Sequence, residues 1–109
     1  VNIQTIQAAV CRHFRVTHLD LVSRRRGRGI VRPRQVGMWL ARHLTVASLP
    51  EIGRAFGGRD HTTVMHALGV VERLMLQDAY WRNAVWTIVD SVDERGTVAL
   101  RRAMMKVVA

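Results

Sequence analysis

FGGRDHTTVMHA, residues 56–67, runs two glycines, an acid, a histidine and two threonines straight into a helical apolar pattern. Asp60 is an N-cap residue type, and from Val64 onward the apolar residues Ala67, Leu68, Val71, Leu74 and Met75 fall on one helical face. Just upstream, Ser48-Leu49-Pro50-Glu51 has the form of a capping box, with Ser48 as N-cap and Glu51 at the reciprocal position. The short helix it opens is expected to stop at Gly57-Gly58. The spacing therefore predicts a helix over 48–56, a glycine turn and a second helix over 60–77, the outline of a helix-turn-helix.

Working outward, the whole chain reads as all-α. Asn2 to Phe14 places Ile3, Ile6, Val10 and Phe14 on one face. Thr17 is a cap for a short turn through Leu19, Leu21 and Val22. Ser23 to Gln35 holds six arginines and two glycines without periodicity and is expected to be a basic loop. Pro33 is expected in the first turn of the next helix, where its missing N–H is no loss. That helix runs through Val36, Met38, Trp39, Leu40 and Leu44 to about Val46. There is no strand pattern or internal repeat.

Composition fits one small domain: 109 residues, 49% hydrophobic, with few aromatics. No run approaches the roughly 18 apolar residues of a membrane span, and no charged-then-apolar leader opens the sequence. Cys11 is the single cysteine and reads as a small buried hydrophobe in a reducing cytosol. The formal charge of +9 is concentrated: residues 24–63 hold nine arginines against Glu51 and Asp60. Such clustering attracts a polyanion. A solvated basic face is the plainer alternative, but it does not account for the clustering.

In a helix-turn-helix the second helix presents its N-terminal residues to base edges in the major groove. Thr62 and Thr63 offer hydroxyls and methyls there, His61 a donor, and Asp60 an acceptor for cytosine N4. The free N–H groups of the first turn also favour phosphate. Taken singly, each of these residues has a structural role: Asp60 as a cap, the glycines as a turn, a threonine as a solvated first-turn residue. His61 and His66 are off the i, i+4 spacing of a helical metal pair and no ligand set joins them, so neither a metal nor a cofactor is expected. GGRDHTT lacks the lysine of a phosphate loop, so this chain is expected to bind no nucleotide and to be no enzyme.

The same residues resemble a known signature. FGGRDHTTVMHA is similar to the signature of the C-terminal DNA-binding domain of the bacterial chromosomal replication initiator DnaA. SRRRGRGIVRPRQVGMWLARHLT (23–45) and SLPEIGRAFGG (48–58) resemble the two segments that precede it, in order and spacing. The resemblance covers Ile3 to Leu68 well, and Gly69 to Glu94 only in length and helical character. It implies a domain that binds double-stranded DNA at a short asymmetric box similar to TTATNCACA. By residue, it implies major-groove contacts from Asp60, His61, Thr62 and Thr63 and a minor-groove contact from Arg26. Phosphate contacts are implied for Arg24, Arg28, Arg34, Gln35, Arg42 and Pro50, the last through neighbouring backbone. Arginine suits both tasks, since an A/T-rich minor groove has enhanced negative potential and guanidinium groups fork onto phosphate.

The chain also departs from the family. Leu68-Gly69-Val70 stands where basic residues usually follow the signature, and Gly69 sits mid-helix. Residues 1–94 are expected to form the DNA-binding domain. Residues 95–109 are expected to add a helix capped by Thr97, with Leu100, Met104, Val107 and Val108 on one face, packed on the same domain or used in self-association. Two readings of the whole stay open: a free-standing, nucleoid-associated cytoplasmic regulator of replication or transcription, favoured by the extended C-terminus, or the DNA-binding piece of a longer initiator. A protein-interaction module using the basic face is the rival from another class. RNA is disfavoured because the basic loop has no aromatic residue on which unpaired bases could stack.

Overall fold

The computed structural model describes residues 1–92; the expected division at 94/95 and the Thr97-capped helix lie outside them. Among the described residues there are six helices and no strand: α1 (Ile3–Phe14), α2 (His18–Val22), α3 (Arg28–Leu44), α4 (Leu49–Ala55), α5 (His61–Gln77) and α6 (Ala79–Val92).

Side-chain caps start most of them. Asn2 accepts from Thr5 N at 2.8 Å to open α1. Thr17 and Asp20 form a reciprocal capping box at α2, and Ser48 and Glu51 form another at α4. Asp60 accepts from Thr63 N at 3.0 Å at the start of α5. Asp78 ends α5 and accepts from Tyr80 N at 2.9 Å, so one acid serves the turn into α6.

Helix α3 corrects the sequence reading. The segment expected as a loop from Ser23 to Gln35 is irregular only as far as Gly27, and α3 begins at Arg28. Pro33 consequently lies inside the helix rather than in its first turn. Only one turn precedes it, and the N–H it lacks would have reached the carbonyl of Gly29, so the ladder loses a single bond near a frayed end. The carbonyl of Gly27 accepts from both Ile30 N (3.0 Å) and Val31 N (2.9 Å) and closes the new first turn. At its other end α3 stops at Leu44 rather than Val46: Thr45 is already extended, and its hydroxyl donates to the Ala41 carbonyl at 2.6 Å and accepts from Ala47 N at 3.1 Å.

α3 is the central helix and contacts α1, α2, α4 and α5, while α6 closes the far side against α1 and α5. The core is apolar: Trp39, Phe56, Ile6, Leu21, Met38, Leu40, Ile52 and Met75 are fully buried. Burying side chains of this size contributes about 1.5–3 kcal/mol each. Val64, Ala67, Val71 and Met75 of the expected α5 face are buried, with Leu68 and Leu74 at its margin. Cys11 is half-buried at the edge of the core, and that burial raises its thiol pKa.

Candidate nucleic-acid interface

The turn between α4 and α5 is set by backbone geometry. Gly57 and Gly58 have φ of 96° and 75°, the left-handed region that glycine enters without strain. Phe56, fully buried, anchors the end of α4, and Arg59 N donates to Gly53 O at 2.9 Å. That contact is so close that a Cβ on Gly53 would lie 1.9 Å from the Arg59 carbonyl oxygen. A Cβ on Gly57 would lie 2.2 Å from the carbonyl oxygen of Val22, at the end of α2. The turn is therefore pressed against the start of the basic loop.

Asp60, His61, Thr62 and Thr63 are all exposed on the first turn of α5. Asp60 Oδ1 accepts from both the Thr62 hydroxyl and Thr63 N. These bonds, the Thr62 hydroxyl first and the Thr63 amide next, hold the Asp60 carboxyl below its ordinary pKa. The carboxylate thus caps the helix through Oδ1. Thr62, whose proton is given to Asp60, presents acceptor lone pairs and its methyl.

On the other side lies the basic loop, Ser23–Gly27, with Arg24, Arg25 and Arg26 exposed. It is shaped from beneath by Arg34, which is only 5% exposed. Arg34 donates to the carbonyls of Leu21 (2.8 Å), Arg25 (3.0 Å), Asp20 (2.8 Å) and Ser23 (3.1 Å). Four of the five N–H groups of a guanidinium are spent in this way. Arg34, for which the resemblance implies a phosphate contact, supports the loop from beneath and also borders the cleft above. Arg59 reaches the same place from the turn: it donates to Phe56 O and, at 2.6 Å, to Ser23 O. Burial and the neighbouring Arg24 lower the pKa of Arg59; burial and then Arg59 lower that of Arg34, partly offset by Asp20. Crowded positive charge of this kind favours an incoming anion.

Loop and helix start together enclose a cleft of about 500 Å³ lined by Arg24, Arg26, Arg34, Arg59, Asp60 and Thr63. Of the remaining expected contacts, Arg28 is exposed at the first position of α3 and Arg42 on its last turn. Pro50 is exposed at the start of α4. Gln35 is half-buried, and its Oε1 accepts from Arg32 at 2.8 Å, which leaves Nε2 as a donor. None of these four lines the cleft.

Sequence reasoning missed Arg59, Gly53 and Asp20. Asp20 had a visible signal, Thr17-x-x-Asp20, which is a capping-box pattern. Arg59 and Gly53 had none, because their partners are set by tertiary approach. Among the described residues no three His, Cys, Asp or Glu side chains gather as metal ligands. No helix among them is long and apolar enough to cross a membrane.

A capped reading helix, a glycine turn and an arginine loop beside it define a DNA-binding helix-turn-helix domain. The model of the bacterial DnaA protein helix-turn-helix matches residues 3–71, and the chain belongs to that family. It is 58% identical over 78 residues to the chromosomal replication initiator protein DnaA of Bartonella quintana, covering 72% of this chain and 16% of that protein. Against the initiator of Rhodopseudomonas palustris strain BisA53 it is 49% identical over 94 residues, covering 86% of this chain and 20% of the relative. The chain thus spans a fifth or less of the length of these relatives.

Proposed function

We propose that the domain binds duplex DNA at an initiator-type box similar to TTATNCACA. Asp60, His61, Thr62 and Thr63 read base edges in the major groove while Arg26 enters the adjacent minor groove. Arg24, Arg28, Gln35, Arg42 and the backbone beside Pro50 hold phosphates. The observation that carries this reading is the cleft in which Arg24 and Arg26 stand beside Asp60 and Thr63. One bound duplex would meet the loop and the helix start together. Arg34 serves the contact by shaping the loop from beneath, and it borders the same cleft. Occupying such a box makes the chain a regulator of replication or transcription there, either alone or as the DNA-binding part of a longer initiator.

The test is duplex binding to an initiator-type box and to a scrambled box at two salt concentrations. With three arginines on phosphate, Arg24, Arg28 and Arg42, log K should fall against log[salt] with a slope of about −2.7. The box should be preferred at both concentrations. A slope near zero, or equal affinity for the two sequences, contradicts the reading.

A further inference from the structure

A second groove, of about 720 Å³, borders the basic loop and the start of α3 and reaches Leu74 near the far end of α5. Arg26, Arg28 and Arg32 line it together with Phe14, Tyr80 and Trp81. The sequence places these aromatics far from the arginines, and the fold brings them together. Tyr80 is 63% exposed, and its ring meets Trp81 edge-on at 5.2 Å. Trp81 is backed by Phe14 at 5.8 Å. Arg28 and Arg32 are four residues apart on α3, so they follow one another along the same helical face. None of the three arginines makes an ion pair among the described residues. The nearby acid Asp78 has its Oδ1 occupied in capping Tyr80 N. The groove also borders the start of α3, where Gly27 provides no side-chain cap, so first-turn N–H groups add to the anionic preference.

We propose that this groove binds unpaired nucleotides of a single strand, with a base stacked on Tyr80 and the strand's phosphates running along Arg26, Arg28 and Arg32. A basic track beside an exposed aromatic ring, here Tyr80, is the arrangement that holds single strands without regard to sequence. An acidic peptide would satisfy the arginines but would leave the planar ring faces without planar partners. The groove also shares Arg26 and Arg28 with the proposed duplex face, so a strand leaving a bound box can continue into it. The proposal does not depend on box recognition.

The test uses the full 109-residue chain and a labelled oligothymidine of about twelve nucleotides. Fluorescence anisotropy is read for wild type, Tyr80→Ala, Tyr80→Phe and Arg32→Gln, with the box duplex as a parallel probe. Tyr80→Ala should weaken strand binding about tenfold, Tyr80→Phe should restore it, and Arg32→Gln should weaken it and flatten its salt dependence. Duplex affinity should be unchanged in the Tyr80 variants. Failure of the wild type to bind the strand, or strand binding indifferent to Tyr80→Ala, overturns the proposal. So does Tyr80-dependent binding of a labelled Glu/Tyr peptide without binding of the strand, which would make the groove a protein site.

Discussion

The turn Phe56–Asp60 and the loop Ser23–Gly27 face each other across one cleft, yet their shapes come from different sources. The turn is made by its own residues: two glycines at positive φ, a buried Phe56 and an Asp60 cap. The loop has no buried apolar residue of its own, and its local brace is the Ser23 hydroxyl, which accepts from Arg25 N at 3.3 Å and donates to Asp20 O at 3.1 Å. Its carbonyls are gathered by Arg34, eleven residues from Ser23, and by Arg59, thirty-six residues from it. The proposed base-reading side is thus locally specified, while the proposed minor-groove side is specified mainly by tertiary packing. Substitutions should therefore act on the turn through backbone strain and on the loop through lost hydrogen bonds.

The largest expected effect is on the turn. Gly53→Ala and Gly57→Ala each drive a Cβ into backbone, at 1.9 Å and 2.2 Å, and the second also meets a positive φ. Each should cost about 3 kcal/mol or more of folding stability in chemical denaturation. Gly58→Ala, with nothing within 4 Å of its Cβ, should cost only about 1 kcal/mol from the same φ region. Equal losses at all three positions would break the distinction between close approach and strain.

Arg34→Met comes next. It strands carbonyls that four hydrogen bonds now satisfy, so stability should fall by about 2–3 kcal/mol. Affinity should drop on box and scrambled duplex alike, with little change in salt slope. If stability holds and the slope shallows by about one, Arg34 is the phosphate contact that the resemblance implies, and the loop has another support.

Asp60 separates the two jobs of one carboxylate. Asp60→Ala should lower the melting temperature modestly, whereas Asp60→Asn, still a good cap, should leave it nearly unchanged. The pH dependence follows from the same bonds. Asp20, Glu51 and Asp60 are all held below their ordinary pKa by hydrogen bonds at helix starts, to Thr17, to Ser48 and to Thr62 with Thr63. Their stabilisation is present above the unfolded carboxylate range and is lost as pH falls through the lower folded values. Urea midpoints at pH 7 and pH 3 should therefore differ less for Asp60→Asn than for wild type.

The smallest effect has the opposite sign. An added Cβ on Gly69 would meet only the Arg73 guanidinium, at an ordinary 3.6 Å. Gly69→Ala should raise stability by about 1 kcal/mol through helix propensity, with duplex affinity unchanged.

The same contrast explains what the sequence made legible. Ser48-x-x-Glu51, Gly57-Gly58 and Asp60 announce their geometry within a few residues, so the helix-turn-helix could be read directly. The start of α3 could not, because Gly27, Gly29 and Pro33 all signal a break while helix formation there is driven by the core segment that follows. Arg34 and Arg59 looked like any other arginines of the cluster, since the carbonyls they bind leave no periodic trace. Nor did anything local connect Tyr80 and Trp81 with Arg28 and Arg32; the fold alone makes them neighbours.

The proposed division of work across the cleft gives major-groove base edges to the start of α5, and phosphate and the minor groove to the loop. It is tested most directly by measuring Thr62→Ala and Arg24→Ala on an initiator-type box and on scrambled duplex across a salt series. Thr62→Ala should cost roughly 1–3 kcal/mol on the box and little on scrambled DNA. Arg24→Ala should weaken both about equally and shallow the salt slope by about one. Parallel losses for both variants on every sequence, with the same slope, would contradict the division.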